Sequence, residues 1–84
     1  MEIENKVIVV TGGSGGIGQA LAKSFIHENA KVVVLLDINF DNFKSENDKL
    51  ISKICDVTNE KALIKMIDEI NLEFGLIDIF CSNA

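Results

Sequence analysis

Residues 11–18 read TGGSGGIG, and they follow the apolar run KVIVVT at residues 6–11. A continuous β-branched run that ends in glycines is typical of a strand buried on both faces, as in a parallel sheet. From Gly16 to about Asn29, apolar residues recur at spacings of three and four, which predicts an amphipathic helix. Its predicted apolar stripe comprises Ile17, Leu21 and Phe25. The glycines therefore form the turn between a buried strand and a helix.

The rest of the chain repeats this alternation. Further apolar runs predict strands at residues 31–37, 49–56 and 76–82. Thr58 is the predicted N-cap of another helix, which should stop at Gly75. The predicted apolar stripe of that helix comprises Leu63, Ile67, Ile70 and Phe74. Only a brief helix or a turn-rich crossover is expected near residues 40–46, because that segment is polar and short.

The predicted order β-α-β-(α)-β-α-β belongs to the α/β class. Because parallel crossovers are right-handed, the simplest arrangement is a Rossmann-like parallel sheet in strand order 3-2-1-4 with flanking helices. The last helix would then lie alone on one face, and one helix cannot cover four strands. We therefore expect an incomplete doubly wound fold, in which residues 1–84 are the N-terminal part of a domain whose remainder is absent.

Composition limits the classes of function. The 84 residues suffice for one small domain, and the net charge of −5 with scattered basic residues argues against nucleic-acid binding. No signal peptide is recognisable and the longest apolar run, residues 32–36, is far too short to span a bilayer, so we expect a cytoplasmic protein without a membrane partner. Cys55 and Cys81 lack metal-ligand spacing, which predicts buried thiols in a reducing compartment and no metal site.

The glycine turn fits three nucleotide-binding patterns, G-x-G-x-x-G, T-G-x-x-x-G-x-G and T-G-x-x-G-x-x-G. They use, in that order, Gly13, Gly15 and Gly18; Gly12, Gly16 and Gly18; or Gly12, Gly15 and Gly18. A turn of this kind at a helix N-terminus suits a pyrophosphate, although a tight turn without a ligand is the alternative. The P-loop pattern is unsuitable, because Gln19 and Ala20 stand where Lys and Ser or Thr are required.

The second predicted strand ends at Asp37, 19 residues after Gly18. Dinucleotide-binding units place at this spacing a carboxylate that bonds the ribose hydroxyls of the adenosine. A carboxylate also repels a 2′-phosphate, and neither Ser14 nor Ile38 is a basic residue that would bind one. The sequence therefore favours NAD over NADP as cofactor, with an unliganded strand-end carboxylate as the alternative.

Taken together, these segments resemble the classical short-chain dehydrogenase/reductase family, and the resemblance covers the whole chain. The matching pieces are TGGSGGIG, GIGQALAKSF, Asp37, CDVT and FGLIDIFCSNA. The ending Ser82-Asn83-Ala84 is similar to the family's N-N-A-G, which favours the register of Gly12, Gly16 and Gly18. The extended relatives, epimerases and dehydratases, would use the T-G-x-x-G-x-x-G register and remain an alternative.

The resemblance implies a NAD site at one edge of the sheet. It implies pyrophosphate and ribose contacts from Gly12, Ser14, Gly16, Ile17 and Gly18, and an adenosine ribose on Asp37. Adenine would contact Asp56 and Val57. Asn83 and Ala84 would lie near the nicotinamide-side ribose.

The resemblance also implies hydride transfer between the nicotinamide and the alcohol/carbonyl pair of a small substrate, and it is compatible with a homo-oligomer. The family's proton transfer needs a Tyr, a Lys and a Ser. Because the chain contains no Tyr, we expect no catalytic residue within it, an inactive chain when alone, and the missing residues beyond Ala84. A dinucleotide-binding module without catalysis is a further alternative.

Overall fold

Two valine-rich segments occupy the centre of a parallel sheet in this computed structural model, which describes residues 2–12, 14–40 and 47–83. The strands are β1 (Val7–Thr11), β2 (Val32–Asp37), β3 (Leu50–Ile54) and β4 (Ile79–Cys81). The helices are α1 (Gly16–His27) and α2 (Glu60–Phe74). The crossover expected near residues 40–46 falls outside the described residues, except for Phe40, which is in neither a helix nor a strand.

All strand pairs are parallel, and the strands lie in the order β3-β2-β1-β4. The prediction of a Rossmann-like sheet in the order 3-2-1-4 is therefore confirmed. β1 and β2 pair in register from Val7 with Val32 to Thr11 with Leu36, and every residue of β1 is buried. Burial on both faces explains why these two segments read as continuous apolar runs without alternation.

The two helices cover opposite faces of the sheet, as their crossovers predict. On one face, α1 contributes Ala22, Leu21, Phe25 and Ile26, which pack against Ile8, Val10, Val33 and Leu35. On the other face, α2 contributes Leu63, Met66, Ile70 and Phe74, which pack against Val9, Val34 and Leu36. The core therefore consists of two layers of side chains, one on each side of β1 and β2.

The predicted helix stripes are wrong at two positions. Ile17 is 71 % exposed, because it lies in the first turn of α1, directly after the glycine turn. In α2, Met66 packs against the core in place of the predicted Ile67. The remaining stripe residues pack as predicted, so the 3.6-residue period identified the buried face of each helix but not every residue on it.

The N-cap prediction for α2 is also wrong, by one residue. The helix begins at Glu60, and Asn59 is the cap because its Oδ1 accepts from the backbone amide of Ala62 at 3.1 Å. The hydroxyl of Thr58 instead donates to Asp56 Oδ1 at 2.6 Å. The predicted stop at Gly75 is confirmed, since Gly75 has φ of 101° in the left-handed region.

Side-chain hydrogen bonds surround the start of β4. β4 begins at Ile79 and not at residue 76. In the segment before it, the amide of Ile77 donates to Asn71 Oδ1 at 3.0 Å. Asp78 and Val7 exchange two hydrogen bonds, from each backbone amide to the other residue, at 2.8 Å. The start of β4 is thereby tied to the start of β1.

The two cysteines are free thiols. Cys55 is buried, as predicted, whereas Cys81 on the outer strand β4 is only half-buried. Neither α1 nor α2 combines the length and the apolar character that a helix needs to cross a bilayer, and these are the helices of the part of the chain that the structure describes.

Replacement of Ile70 tests the α2 layer of the core. Ile70 is fully buried against the sheet, whereas Leu72 on the same helix is 89 % exposed. We expect Ile70→Ala to lower the free energy of unfolding by about 2–5 kcal/mol, because it leaves a cavity, and Leu72→Ala to change it by less than about 0.5 kcal/mol. Urea unfolding followed by circular dichroism measures both, and equal effects would contradict this packing.

Candidate functional site

The glycine turn connects β1 to α1, and its glycines have different structural roles. Gly12 has φ of 66°, a conformation that residues with a Cβ rarely adopt. Gly15 has an ordinary φ of −78°, and its amide donates to the carbonyl of Gly12 at 3.3 Å. A Cβ on Gly16 would meet no atom within 4 Å from the described residues outside its own helical turn, whereas Gly18 is buried. The backbone conformation therefore favours glycine at Gly12, and the backbone at Gly16 borders open space among the described residues.

The N-terminus of α1 has the properties of an anion site. Gly15 is its N-cap and supplies no side-chain hydrogen bond, and the described first turn contains no acidic residue. The first amides of a helix lack internal partners and carry partial positive charge, so they attract an anion that lies close to the helix end. Gln19 stabilises the turn, because its Nε2 donates to the carbonyl of Ser14 at 2.7 Å.

Asp37, at the end of β2, is hydrogen-bonded to the glycine turn. Its Oδ2 accepts from the Ser14 hydroxyl at 2.6 Å and from the Ser14 amide at 3.1 Å, and its Oδ1 accepts from the amide of Ile38 at 2.7 Å. The Ser14 hydroxyl is the main cause that lowers the pKa of Asp37, against the opposing effect of partial burial. The bonds between Ser14 and Asp37 therefore stabilise the folded chain fully at a pH above the usual aspartate pKa. This stabilisation is lost as the pH falls through the lowered pKa of Asp37.

A cleft of about 380 Å³ opens beside this pair, at the carboxyl ends of β1, β2 and β3. Four of the residues that the sequence predicted as a cofactor site line it, namely Gly12, Asp37, Asp56 and Val57. Its other lining residues are Leu36, Ile38, Cys55 and Thr58. The volume is within the range of about 300–1,000 Å³ typical of small-molecule sites.

Asp56 is exposed at the rim of the cleft. Its Oδ1 accepts from both the hydroxyl and the backbone amide of Thr58, at 2.6 and 3.0 Å. The Thr58 hydroxyl is the main cause that lowers the pKa of Asp56. Burial, followed by the Asp56 charge, raises the pKa of the neighbouring Cys55 thiol. The cleft therefore contains two ionised carboxylates and a neutral thiol at neutral pH.

Asn83 lies on the opposite side of β1 from Asp37, because β4 and β2 flank β1. Its amide donates to Oγ1 of Thr11 at 2.9 Å, and that hydroxyl donates to the carbonyl of Cys81 at 3.4 Å. Thr11 is 2 % exposed, so a buried hydroxyl joins the carboxyl ends of β1 and β4. Ala84 lies outside the described residues.

The structure thus brings the glycine turn, Asp37, Asp56 and Val57 to one edge of the sheet, with Asn83 further along that edge. Sequence reasoning missed Thr11, Gln19 and Thr58 as supporting residues. Thr58 could have been found, since a Thr two residues after an Asp is a common side-chain turn. Gln19 has no comparable signal, because a long polar side chain early in a helix is ordinary.

Comparisons with known proteins agree with this geometry. The family model for short chain dehydrogenase matches residues 6–84. Tropinone reductase-like 2 of Erythroxylum coca is 38 % identical in an alignment of 86 positions that covers 98 % of this chain and 31 % of the relative. Sorbose reductase SOU1 of Candida albicans is 38 % identical in an alignment of 88 positions, with coverages of 98 % and 31 %. The chain therefore spans about a third of the length of these curated relatives.

Solved structures share the fold. Thermoplasma acidophilum aldohexose dehydrogenase has a TM-score of 0.83 and 36 % identity, over 98 % of this chain and 30 % of that one. A NAD⁺-bound xylitol dehydrogenase has a TM-score of 0.82 and 32 % identity, over 95 % and 33 %. A Burkholderia cenocepacia short chain dehydrogenase in complex with NADP has a TM-score of 0.85 over 100 % and 34 %, but its 21 % identity bears on the fold alone.

Dinucleotide complexes of both kinds therefore occur on this fold, and they do not decide the cofactor preference of this chain. Family membership rests on stronger ground. The family model matches residues 6–84, and the fold of the chain matches that of the aldohexose dehydrogenase with a TM-score of 0.83. The chain belongs to the short-chain dehydrogenase/reductase family and corresponds to an N-terminal portion of the classical type.

Proposed function

We propose that this chain is the NAD-binding portion of an oxidoreductase that transfers hydride between a nicotinamide and the alcohol/carbonyl pair of a small substrate. The observation that carries the proposal is the cleft that connects Gly12 of the glycine turn with Asp37 and Asp56. The nicotinamide supplies the hydride chemistry when bound, and the residues of this chain bind and orient the dinucleotide. We also propose that the whole protein is cytoplasmic and without nucleic-acid or membrane partners, and the family resemblance is compatible with a homo-oligomer.

The N-terminus of α1 is the proposed pyrophosphate site. The chain has a net charge of −5, so backbone amides are better suited than side-chain cations to hold the phosphates. The open space beside Gly16 allows close approach to the backbone. The proposed contacts come from Gly12, Ser14, Gly16, Ile17 and Gly18.

The cleft is the proposed adenosine site. The Asp37 carboxylate would accept hydrogen bonds from the ribose hydroxyls, and that of Asp56 from the exocyclic amine of adenine. Val57, half-buried at the cleft, would contact the adenine through its backbone and apolar side chain. At the opposite side of β1, Asn83 and Ala84 are proposed to lie near the nicotinamide-side ribose.

The charge of Asp37 supports NAD over NADP. The Ser14 hydroxyl lowers the pKa of Asp37, so the carboxylate is ionised at neutral pH. A 2′-phosphate on the adenosine ribose would add a second anion beside it, which is unfavourable without a cation between them. The NAD⁺-bound xylitol dehydrogenase, at 32 % identity, is consistent with this preference.

Proton transfer is proposed to come from residues outside this chain. A Tyr is the family's general acid and base, and the 84 residues contain none. The residues of the chain hold the dinucleotide and shape its surroundings, and no acid or base step is assigned to any of them.

Removal of the Asp37 charge tests the cofactor preference. We expect the chain to bind NAD more tightly than NADP, and Asp37→Asn to weaken NAD binding about tenfold and abolish the preference, because charge-assisted hydrogen bonds are lost. Isothermal titration calorimetry with both dinucleotides measures this. Asp68→Asn, on the exposed surface of α2, changes the net charge equally and should have no effect. Equal or tighter binding of NADP by the unaltered chain would overturn the role of Asp37.

Paired alanine substitutions test the register of the glycine turn. Gly16→Ala should preserve or slightly raise the melting temperature, because the new Cβ meets no atom within 4 Å, but it should weaken NAD binding at least about tenfold by filling the pyrophosphate space. Gly15→Ala is the matched control, since its Cβ would make an ordinary contact of 3.6 Å with the Gly12 carbonyl oxygen. Loss of binding in Gly15→Ala alone would contradict this register and indicate one of the two that use Gly15, G-x-G-x-x-G or T-G-x-x-G-x-x-G.

A further inference from the structure

The Asp37 carboxylate receives hydrogen bonds from two segments of the chain. The amide of Ile38 donates to its Oδ1 at 2.7 Å, from the segment that follows β2. Ser14 donates twice from the glycine turn, through its hydroxyl at 2.6 Å and its amide at 3.1 Å. These bonds engage both oxygens of the carboxylate. The bond from Ile38 is local to Asp37, whereas those from Ser14 fix the carboxylate relative to the glycine turn.

We propose that Ser14 is a positioning residue that makes Asp37 selective for NAD, because it holds the carboxylate beside the glycine turn and prevents it from moving away from a 2′-phosphate. This inference rests on the proposed function. That function assigns the preference for NAD to the charge of Asp37, and the inference adds that Ser14 holds this charge in place.

A carboxylate can accommodate a neighbouring phosphate in two ways, by rotating toward solvent or by taking up a proton. Asp37 is only half-buried, so packing alone does not prevent rotation, but rotation would break both bonds from Ser14. Protonation is opposed as well, because the Ser14 hydroxyl is the main cause of the lowered pKa of Asp37. Among the described residues, the other titratable groups that line the cleft are Asp56 and the Cys55 thiol. Neither supplies a positive charge that would attract a phosphate.

The Ser14 hydroxyl is separable from the backbone structure of the turn. The amide of Gly15 bonds the carbonyl of Gly12, and Gln19 Nε2 bonds the carbonyl of Ser14 at 2.7 Å. Neither bond uses the hydroxyl, so the turn should keep its conformation in Ser14→Ala. The hydroxyl can therefore be tested without dismantling the turn.

Binding of both dinucleotides to Ser14→Ala and Ser14→Thr tests the proposal. In Ser14→Ala we expect the ratio of the NADP to the NAD dissociation constant to fall about tenfold, as for the loss of one hydrogen bond to a charged group. Any contact of Ser14 with a part that NAD and NADP share is lost for both and cancels in this ratio. Ser14→Thr keeps the hydroxyl and should restore most of the ratio. If Ser14→Ala weakens both dinucleotides in equal proportion, Ser14 only contacts the shared part or shapes the turn, and the proposal is wrong.

A titration without any dinucleotide gives a second test. Carboxyl ¹³C NMR of the wild-type chain and of Ser14→Ala should show the pKa of Asp37 rising toward its usual value in the variant, while that of Asp56 stays unchanged. An unchanged Asp37 titration would overturn the proposal. A wild-type chain that binds neither dinucleotide contradicts the proposed function and with it this inference. A wild-type preference for NAD that persists in Ser14→Ala contradicts this inference alone.

Discussion

Burial of β1 and β2 on both faces is the constraint on which the rest of the molecule depends. Two adjacent parallel strands with no polar face need a helix on each side, and the right-handed crossovers supply α1 on one side and α2 on the other. The same crossovers bring the loops after β1, β2 and β3 to a single edge of the sheet. The cleft lies at that edge, so the location of the site follows from the way in which the core is covered.

Sequence periodicity predicted these central elements well because their burial is nearly complete. It was less accurate where a short-range hydrogen bond decides the outcome. Thr58 and Asn59 are both good capping residues, and only the structure shows that Asn59 bonds the helix amide while Thr58 bonds Asp56. Ile17 fits the helical period, yet the apolar layer of α1 begins one turn later, at Leu21. Element ends depend on single contacts, which a repeating pattern does not encode.

The candidate site could be predicted in part. Spacing from the glycine turn identified Asp37, and both Asp56 and Val57 line the same cleft. The bond between Ser14 and Asp37 was not predictable, because it joins residues 23 apart in sequence and depends on side-chain rotamers. The glycine spacing alone fits all three registers, and only the resemblance at residues 82–84 favoured Gly12, Gly16 and Gly18. Conformation separates the registers in part: Gly12 has a positive φ, whereas the backbone of Gly15 is one that any residue adopts.

The buried hydroxyl of Thr11 has a consequence for the geometry of the whole edge. It is bonded to the amide of Asn83, and Thr11 is covalently joined to Gly12, which lines the cleft. A slip of β4 along β1 by a single residue would displace Asn83 by about 3.3 Å and turn each β4 side chain to the other face of the sheet. Thr11 does not line the cleft itself, but its hydroxyl holds β4 in register with β1. It thereby fixes the distance between the cleft and Asn83.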